Sequence, residues 1–249
     1  MLAPESLERP APAPAKAPGR IDQALRRLLM RPAAIIANEE LSDRFRLITI
    51  EGPALAGVAW VPGQKLQVAM GSAFSTRTYT PIEWNAAAGR TCILGYAHGD
   101  GPGSAWVRGA RPGDACDLFG PRGSLDASGL AGPLAVFGDE TAIGLAYALS
   151  RRALMVTSHF EVEDADAACQ VAEQLGLGRI ALYPRRAGDT HLAGMEATLP
   201  SLIAAGASFV LAGKAGTVQR LRQGLKALGV PASRVITKAY WAPGKTGLD

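Results

Sequence analysis

"LAVFGDETAIGLAYALSR", residues 134–151, is where the rhythm of the chain changes. Leu134 to Gly138 form a compact apolar run of strand length, and the residues from Asp139 onward continue as a helical stretch. The alternation then repeats: strand "ALMVTS", helix "DADAACQVAEQLG", strand "RIALYP", a helix within "GMEATLPSLIAAG", strand "SFVLAG", helix "AGTVQRLRQGLKALG" and a last strand "ASRVITKAYW". Strands alternating with helices predict a parallel sheet covered on both faces, joined by right-handed connections.

Upstream of this region, "GPRGSLDASGLAGP" (120–133) is a connector, and before it the pattern differs. From Arg31 to about Leu118 the runs are short and strand-like, among them "AAIIANEEL", "DRFRLITIEG", "QKLQVAMG", "TRTYTPI", "RTCILGYAHG" and "DACDLFG". Gly, Pro, Asn and Asp punctuate them. In the second run Phe45, Leu47 and Thr49 share one face and Arg44, Arg46, Ile48 and Ile50 the other, which predicts antiparallel strands with one core face. About six such strands suit a small barrel. Residues 1–20 form an alanine- and proline-rich lead-in, and "IDQALRRLLM" places Ile21, Leu25, Leu28 and Leu29 at helical spacing. The expected division is therefore 1–30 as lead-in and short helix, 31–130 as β-barrel and 131–249 as α/β domain.

Bulk properties narrow the function. With 249 residues and 48% hydrophobic content, the chain can bury a core in one large domain or two small ones. A net charge of +4 without any arginine-lysine run does not support nucleic-acid binding, though it suits an anionic ligand. Charge is uneven: residues 139–173 hold seven acids and two arginines, residues 174–249 ten Lys or Arg against three acids. Cys92, Cys116 and Cys169 are too far apart for a disulfide framework or an iron–sulfur site. His159 and His191 have no neighbours at metal-ligand spacing, so no metal is expected. No signal peptide or membrane-spanning run is evident, which makes the cytoplasm the default location.

Three stretches could carry chemistry. In "RTYT" a strand places Arg77 and Tyr79 on one face and Thr78 and Thr80 on the other. Tyr79 offers an aromatic plane to a flat ligand, Arg77 a guanidinium to an anion, and Thr80 a hydroxyl or N–H to a ring heteroatom. Pro81, lacking an N–H, should end the ladder and leave that edge open. "HGDGPGSAW" (98–106) packs glycines and a proline ahead of Ser104, which would start a short helix. Free N–H groups after it would make an anion site, with Gly103 admitting a phosphate closely and His98 ahead of it. In "GDETAIG" (138–144) the strand-to-helix junction lies where open α/β sheets bind ligands. It is not a G-x-G-x-x-G fingerprint; Asp139 and Glu140 are poor neighbours for a phosphate, and Thr141 could cap the helix. The chain has no G-x-S-x-G, which argues against an α/β-hydrolase.

The chain resembles the siderophore-interacting protein family, flavin-dependent ferric-siderophore reductases within the ferredoxin-reductase-like group. The matching elements are "RTYT" (77–80), "HGDGPGSAW" (98–106), "GD" (113–114), "GPRGS" (120–124), "GDETAIG" (138–144) and "KAYWAPGK" (238–245), in that order. The resemblance implies a flavin-binding barrel followed by a nicotinamide-nucleotide-binding α/β domain, with FAD and NADPH or NADH as cofactors. It places Arg77, Thr78, Tyr79 and Thr80 on the flavin, His98 at the next flavin loop, and Gly103, Ser104 and Ala105 at its pyrophosphate turn. Gly138, Asp139, Glu140 and Thr141 would open the nicotinamide domain, and Lys238, Tyr240 and Trp241 would close the tail over the flavin. Lys65, Arg122, Lys238 and Lys245 are the implied attractors of an anionic ferric siderophore. No catalytic side chain is implied, since the flavin carries the redox step. Many members carry arginine where this chain has Ile82, which bears on substrate preference. Arg185 and Arg186 could cradle a 2′-phosphate. Alternatives are another FAD-dependent NAD(P)H reductase acting on a quinone, a free ferric chelate or a protein, and a non-enzymatic FAD- or siderophore-binding protein. A monomer without membrane or nucleic-acid partners is expected.

Overall fold

The computed structural model describes residues 28–72, 75–152 and 155–245. The lead-in and all but the end of the expected N-terminal helix lie outside the described residues. Seven strands form an antiparallel, barrel-like sheet: β1 (Arg31–Glu40), β2 (Phe45–Glu51), β3 (Lys65–Ser72), β4 (Ser75–Tyr79), β5 (Pro81–Asn85), β6 (Arg90–Tyr96) and β7 (Ala115–Arg122). Helix α1 (Pro102–Gly109) lies between β6 and β7 in the chain. The strand order is β4-β3-β7-β1-β2-β6-β5. Strands β4 and β5 are consecutive in sequence yet stand at opposite ends of that order, with Thr80 alone between them.

"TRTYTPI" is thus two strands rather than one. Pro81 does not leave an edge open: it begins β5 and pairs with Ile93 of β6. A proline's missing N–H is tolerated at the first residue of a strand on a sheet's rim, which is where it sits.

The second sheet is parallel, with order β10-β9-β8-β11-β12. Its strands are β8 (Leu134–Asp139), β9 (Val156–Val162), β10 (Ile180–Pro184), β11 (Ser208–Lys214) and β12 (Val235–Trp241). Helices α2 (Ile143–Ser150), α3 (Ala165–Leu175), α4 (Leu192–Glu196), α5 (Leu199–Ala204) and α6 (Ala215–Ala227) connect them. Every residue of β8 is buried, the signature of a central strand covered on both faces. The expected single helix within "GMEATLPSLIAAG" is instead α4 and α5, because Pro200, with no N–H to donate, falls in the first turn of the latter.

The expectation of one core face for β2 needs correction. Ile48 and Ile50 face the barrel's own core with Ile35, Leu66, Val68 and Ile93. On the other face Phe45 is 2% exposed and packs into the cluster of Val136, Ile143, Phe160 and Val210, which belongs to the parallel sheet. Part of the barrel's outer wall is therefore buried as well, with the half-buried Leu94 and Tyr96 of β6 packed against the same cluster.

Gly144 makes this contact possible. A Cβ on it would fall 2.8 Å from Cγ2 of Ile82, the buried residue of β5 against which α2 lies. Ile82 thus occupies a packed interface position, where an arginine's charge would need a partner. Gly144→Ala should lower stability by about 1–3 kcal/mol through overpacking, and Ile82→Ala added to it should recover part of the loss. Chemical denaturation of the two single variants and the double variant measures this; strictly additive losses would remove the contact from the account.

Candidate functional site

The "RTYT" strand and the glycine-rich turn meet. Tyr79 Oη donates to the Gly103 carbonyl at 3.3 Å, and its ring lies 5.3 Å from that of Trp106 on α1. A Cβ on Gly103 would stand 3.2 Å from Arg77 Cγ and 3.4 Å from Tyr79 Oη. The first turn of α1 therefore rests directly on Arg77 and Tyr79, and a Cβ at Gly103 would make their side chains give by a few tenths of an ångström. Burial pushes the Tyr79 phenol well above its ordinary range, so it stays protonated and donating.

Helix α1 begins earlier than expected. Gly101 is the N-cap and Pro102 opens the helix, so Ser104 is the third helical residue and is 6% exposed. Proline has no N–H to orphan, and the Ala105 N–H already donates to the Gly101 carbonyl. The Gly103 and Ser104 N–H groups lie ahead of the i−4 ladder, and Gly103 lies against the Arg77 side chain. Arg108 ties the loop by donating to the Gly99 carbonyl at 3.0 Å.

A second contact joins the barrel to the chain's last strand. Thr80 Oγ1 donates to Tyr240 Oη at 3.4 Å, and burial pushes the Tyr240 phenol up to about 12. His98 is exposed and stacks between Tyr96, 6.0 Å away, and Trp241, 6.1 Å away. Thr78 is exposed on the opposite face from Arg77 and Tyr79. In register, Lys65 lies opposite Arg122 and one residue beyond the Leu66–Tyr79 pair. Arg122 bonds the Gln67 amide and covers the Phe119 ring at 4.0 Å. Lys238 is on β12 two residues before Tyr240, and Lys245 is exposed beyond the strand.

The carboxyl ends of the parallel strands hold a network that sequence spacing did not reveal. The strand order reverses at β8, so the crevice between β8 and β11 is the topological switch point. Asp139 fills it. It is fully buried and accepts from the Thr141 N–H and hydroxyl, the Lys214 N–H at 2.7 Å and Trp241 Nε1 at 2.8 Å. Burial pushes its carboxyl up while the Thr141 and Trp241 donors pull it back. Asp139 is thus the cap, and Thr141 is the residue capped. Gly213, at φ +105°, is required because a Cβ there would meet the Asp139 carboxylate at 2.6 Å. Gly138 likewise leaves no room for a side chain against Ala142 and the Ala212 carbonyl.

Glu140 is 3% exposed, accepts the Glu163 N–H at 2.6 Å and pairs with Arg185 at 2.7 Å. Arg185 also approaches Glu161 at 3.5 Å and Glu163 at 3.6 Å, with its guanidinium 6.0 Å from the Trp241 ring. Asp139, Glu140 and Arg185 are therefore committed to partners within the chain, and of the two arginines only Arg186 is exposed.

His191 does have neighbours. Its Nδ1 accepts the Arg186 N–H at 3.2 Å, which leaves the proton on Nε2, 2.9 Å from the buried Glu161. Among the described residues, Glu161, Asp189 and His191 bring potential ligand atoms within 4.8 Å of one another. Arg185 beside Glu161 and Lys214 on Asp189, at 2.9 Å, already neutralise both carboxylates.

His159 packs 4.5 Å from the Phe137 ring and its Nδ1 lies 3.1 Å from the Tyr183 hydroxyl. Burial pushes it down from 6.5 to about 4. Its folded value is the lower one, so stability from a neutral ring is complete above the unfolded value and drains away as pH falls from 6.5 to 4. The loss should reach on the order of 3 kcal/mol. His159→Phe should flatten this part of the stability–pH curve; an unchanged slope would assign it to other groups.

Among the described residues no helix is long and apolar enough to cross a membrane. Residues 64–125 match the family model of the siderophore-interacting FAD-binding domain, the span that contains "RTYT", the glycine turn and α1. No curated protein sequence matches the chain. Among solved structures, the siderophore-interacting protein SipS from Aeromonas hydrophila superposes with TM-score 0.72 and 22% identity, covering 88% of this chain and 93% of its own. A siderophore utilization protein from T. fusca gives 0.68 and 22%, covering 88% and 95%. A ferredoxin NADP+ reductase from Neisseria gonorrhoeae with bound FAD and NADP gives 0.68 and 14%, covering 85% and 99%. Residues 64–125 thus match a siderophore-interacting FAD-binding domain, set in a chain whose fold is that of ferredoxin-reductase-like FAD- and NAD-binding proteins.

Proposed function

We propose that this chain is an FAD-dependent reductase that passes electrons from NAD(P)H to a ferric siderophore, with residues 31–130 holding FAD and 131–249 receiving the nicotinamide. The observation that carries the reading is the seating of the first turn of α1 on Arg77 and Tyr79. The donor types present suit the group: helix-start N–H groups at Gly103 and Ser104, and the guanidinium of Arg77, whose stem lies against Gly103. The Gly103 cradle, which a Cβ would fill, leaves room for close backbone approach.

In this reading Arg77 and the Gly103 and Ser104 N–H groups bind the pyrophosphate, with Ala105 completing the turn. Tyr79, held by the Gly103 carbonyl and Trp106, fixes the strand against that turn. Thr80, His98 and Trp241 line the seam between barrel and tail. Gly138, Asp139, Glu140 and Thr141 act from below, by setting the position of Trp241. Bound FAD would supply the exchange between a two-electron nicotinamide donor and a one-electron Fe(III) acceptor. Lys65, Arg122, Lys238 and Lys245 attract the anionic chelate, and reduction to Fe(II) weakens its hold by hard oxygen ligands. Arg186 is the remaining arginine for a 2′-phosphate. The protein works in the cytoplasm.

The test is purification with added FAD, then anaerobic absorbance at the flavin band with NADH and NADPH in parallel, then ferric siderophores beside quinones. Bleaching by one nicotinamide and recovery of colour with ferric siderophore are expected. A protein that does not retain FAD overturns the whole reading. Retention and bleaching without siderophore turnover would leave a flavin reductase with another acceptor.

A further inference from the structure

The main chain that follows β10 is held from three neighbouring elements. The Arg186 N–H donates to His191 Nδ1 at 3.2 Å, and His191 Nε2 lies 2.9 Å from Glu161, which is fully buried on β9. The Thr217 hydroxyl donates to the same carboxylate from α6. Between Arg186 and His191 the backbone passes through two left-handed residues, Gly188 at φ +66° and Asp189 at φ +54°. That conformation costs an aspartate energy, and Lys214 Nζ, at the end of β11, holds its carboxylate at 2.9 Å. The Lys214 N–H in turn donates to Asp139, which ties the turn to the crevice at the switch point. A buried carboxylate is costly unless it is paired, and here its pairing fixes the imidazole that fixes the Arg186 amide.

Charge decides what this turn can recognise. In open α/β sheets an acid at the carboxyl end of the second strand bonds the ribose 2′-hydroxyl of a dinucleotide, and a nearby arginine accommodates a 2′-phosphate instead. In the parallel sheet the second strand along the chain is β9, and its acids are engaged. Glu161 holds His191 and Thr217, Glu163 pairs with Arg44 and Arg185, and Asp164 caps α3 through the Ala167 N–H at 3.0 Å. Arg185 is committed to Glu140. Arg186 is exposed, and among the described residues no carboxylate pairs with it. Its strand, β10, lies two places from β8, about 10 Å at the usual strand spacing and within the span of one dinucleotide.

We propose that His191 is a positioning residue that selects NADPH over NADH: anchored by Glu161, it fixes the Arg186 main chain and so presents the guanidinium to the 2′-phosphate. The inference rests on the reading of residues 131–249 as the nicotinamide side. It adds to that reading which nucleotide is taken and which buried pair sets the choice.

Calorimetric titration of the full chain with NADP+ and with NAD+, in the presence and absence of FAD, tests it. The parent should bind NADP+ at least about tenfold more tightly than NAD+, and Arg186→Ala should bring that ratio close to one. Two conservative changes at His191 separate positioning from packing. Asparagine puts an accepting oxygen near the place of Nδ1, whereas glutamine puts its amide near the place of Nε2. His191→Asn should therefore keep most of the ratio, and His191→Gln should lose it as Arg186→Ala does. Equal ratios in the two His191 variants overturn the positioning role. Equal affinity of the parent for the two nucleotides overturns the choice of NADPH while leaving the nicotinamide reading intact. A parent that retains FAD and binds neither nucleotide overturns that reading, and the inference with it.

Discussion

Asp139→Ala should lower the unfolding free energy by about 3–5 kcal/mol. The carboxylate is fully buried, and its removal strands donors from three separate places in the chain: the Thr141 N–H, the Lys214 N–H and Trp241 Nε1. Each buried donor left without a partner costs about 1–3 kcal/mol, and water entering the cavity returns part of that. Asp139→Asn keeps the shape but turns one accepting oxygen into a donor, set against donors; about half the loss is expected. Urea midpoints at constant slope measure both. The same variants should free the tail, seen as faster hydrogen exchange at residues 238–241. A loss below about 1 kcal/mol for Asp139→Ala would show that the four bonds are not a buried junction.

Arg77→Ala should raise the dissociation constant for FAD by about 10–100-fold, the worth of a charge-assisted hydrogen bond to an anion. Among the described residues its guanidinium donates to the Thr76 carbonyl, a neighbour on its own strand, at 2.8 Å. Its alkyl stem packs under Gly103, so the urea midpoint of the apoprotein is read beside the titration to separate binding from folding. Arg77→Lys should recover part of the affinity, keeping the charge and losing the fork. Fluorescence titration of the apoprotein gives all three constants. Parental affinity in Arg77→Ala would remove Arg77 from the pyrophosphate site and, with it, the functional reading of the α1 turn.

The two-sheet architecture was legible because period and punctuation are local. "LAVFG" is apolar without alternation and is the central strand, while the stretches before residue 118 alternate and are antiparallel. The proximity of Arg77, Tyr79 and the glycine turn was legible in part, through the two-residue period that puts both side chains on one face. What escaped were contacts that depend on distant register. Nothing near Glu161 in the sequence announces His191 and Thr217, which reach it across 30 and 56 positions. Trp241 lies 102 positions from the carboxylate it bonds. The burial of both Phe45 and Ile48 escaped for the same reason. Alternation tells which residues share a face, and cannot tell that a second sheet will cover the outer one.

That covered wall has a thermodynamic meaning. A barrel whose outside is packed by Val136, Ile143 and Phe160 through Phe45 cannot release its neighbour without exposing its own apolar flank. The two sheets are separate in topology but share one cooperative melting unit. Heating should give a single calorimetric transition, and the barrel produced alone should be sticky rather than independently folded.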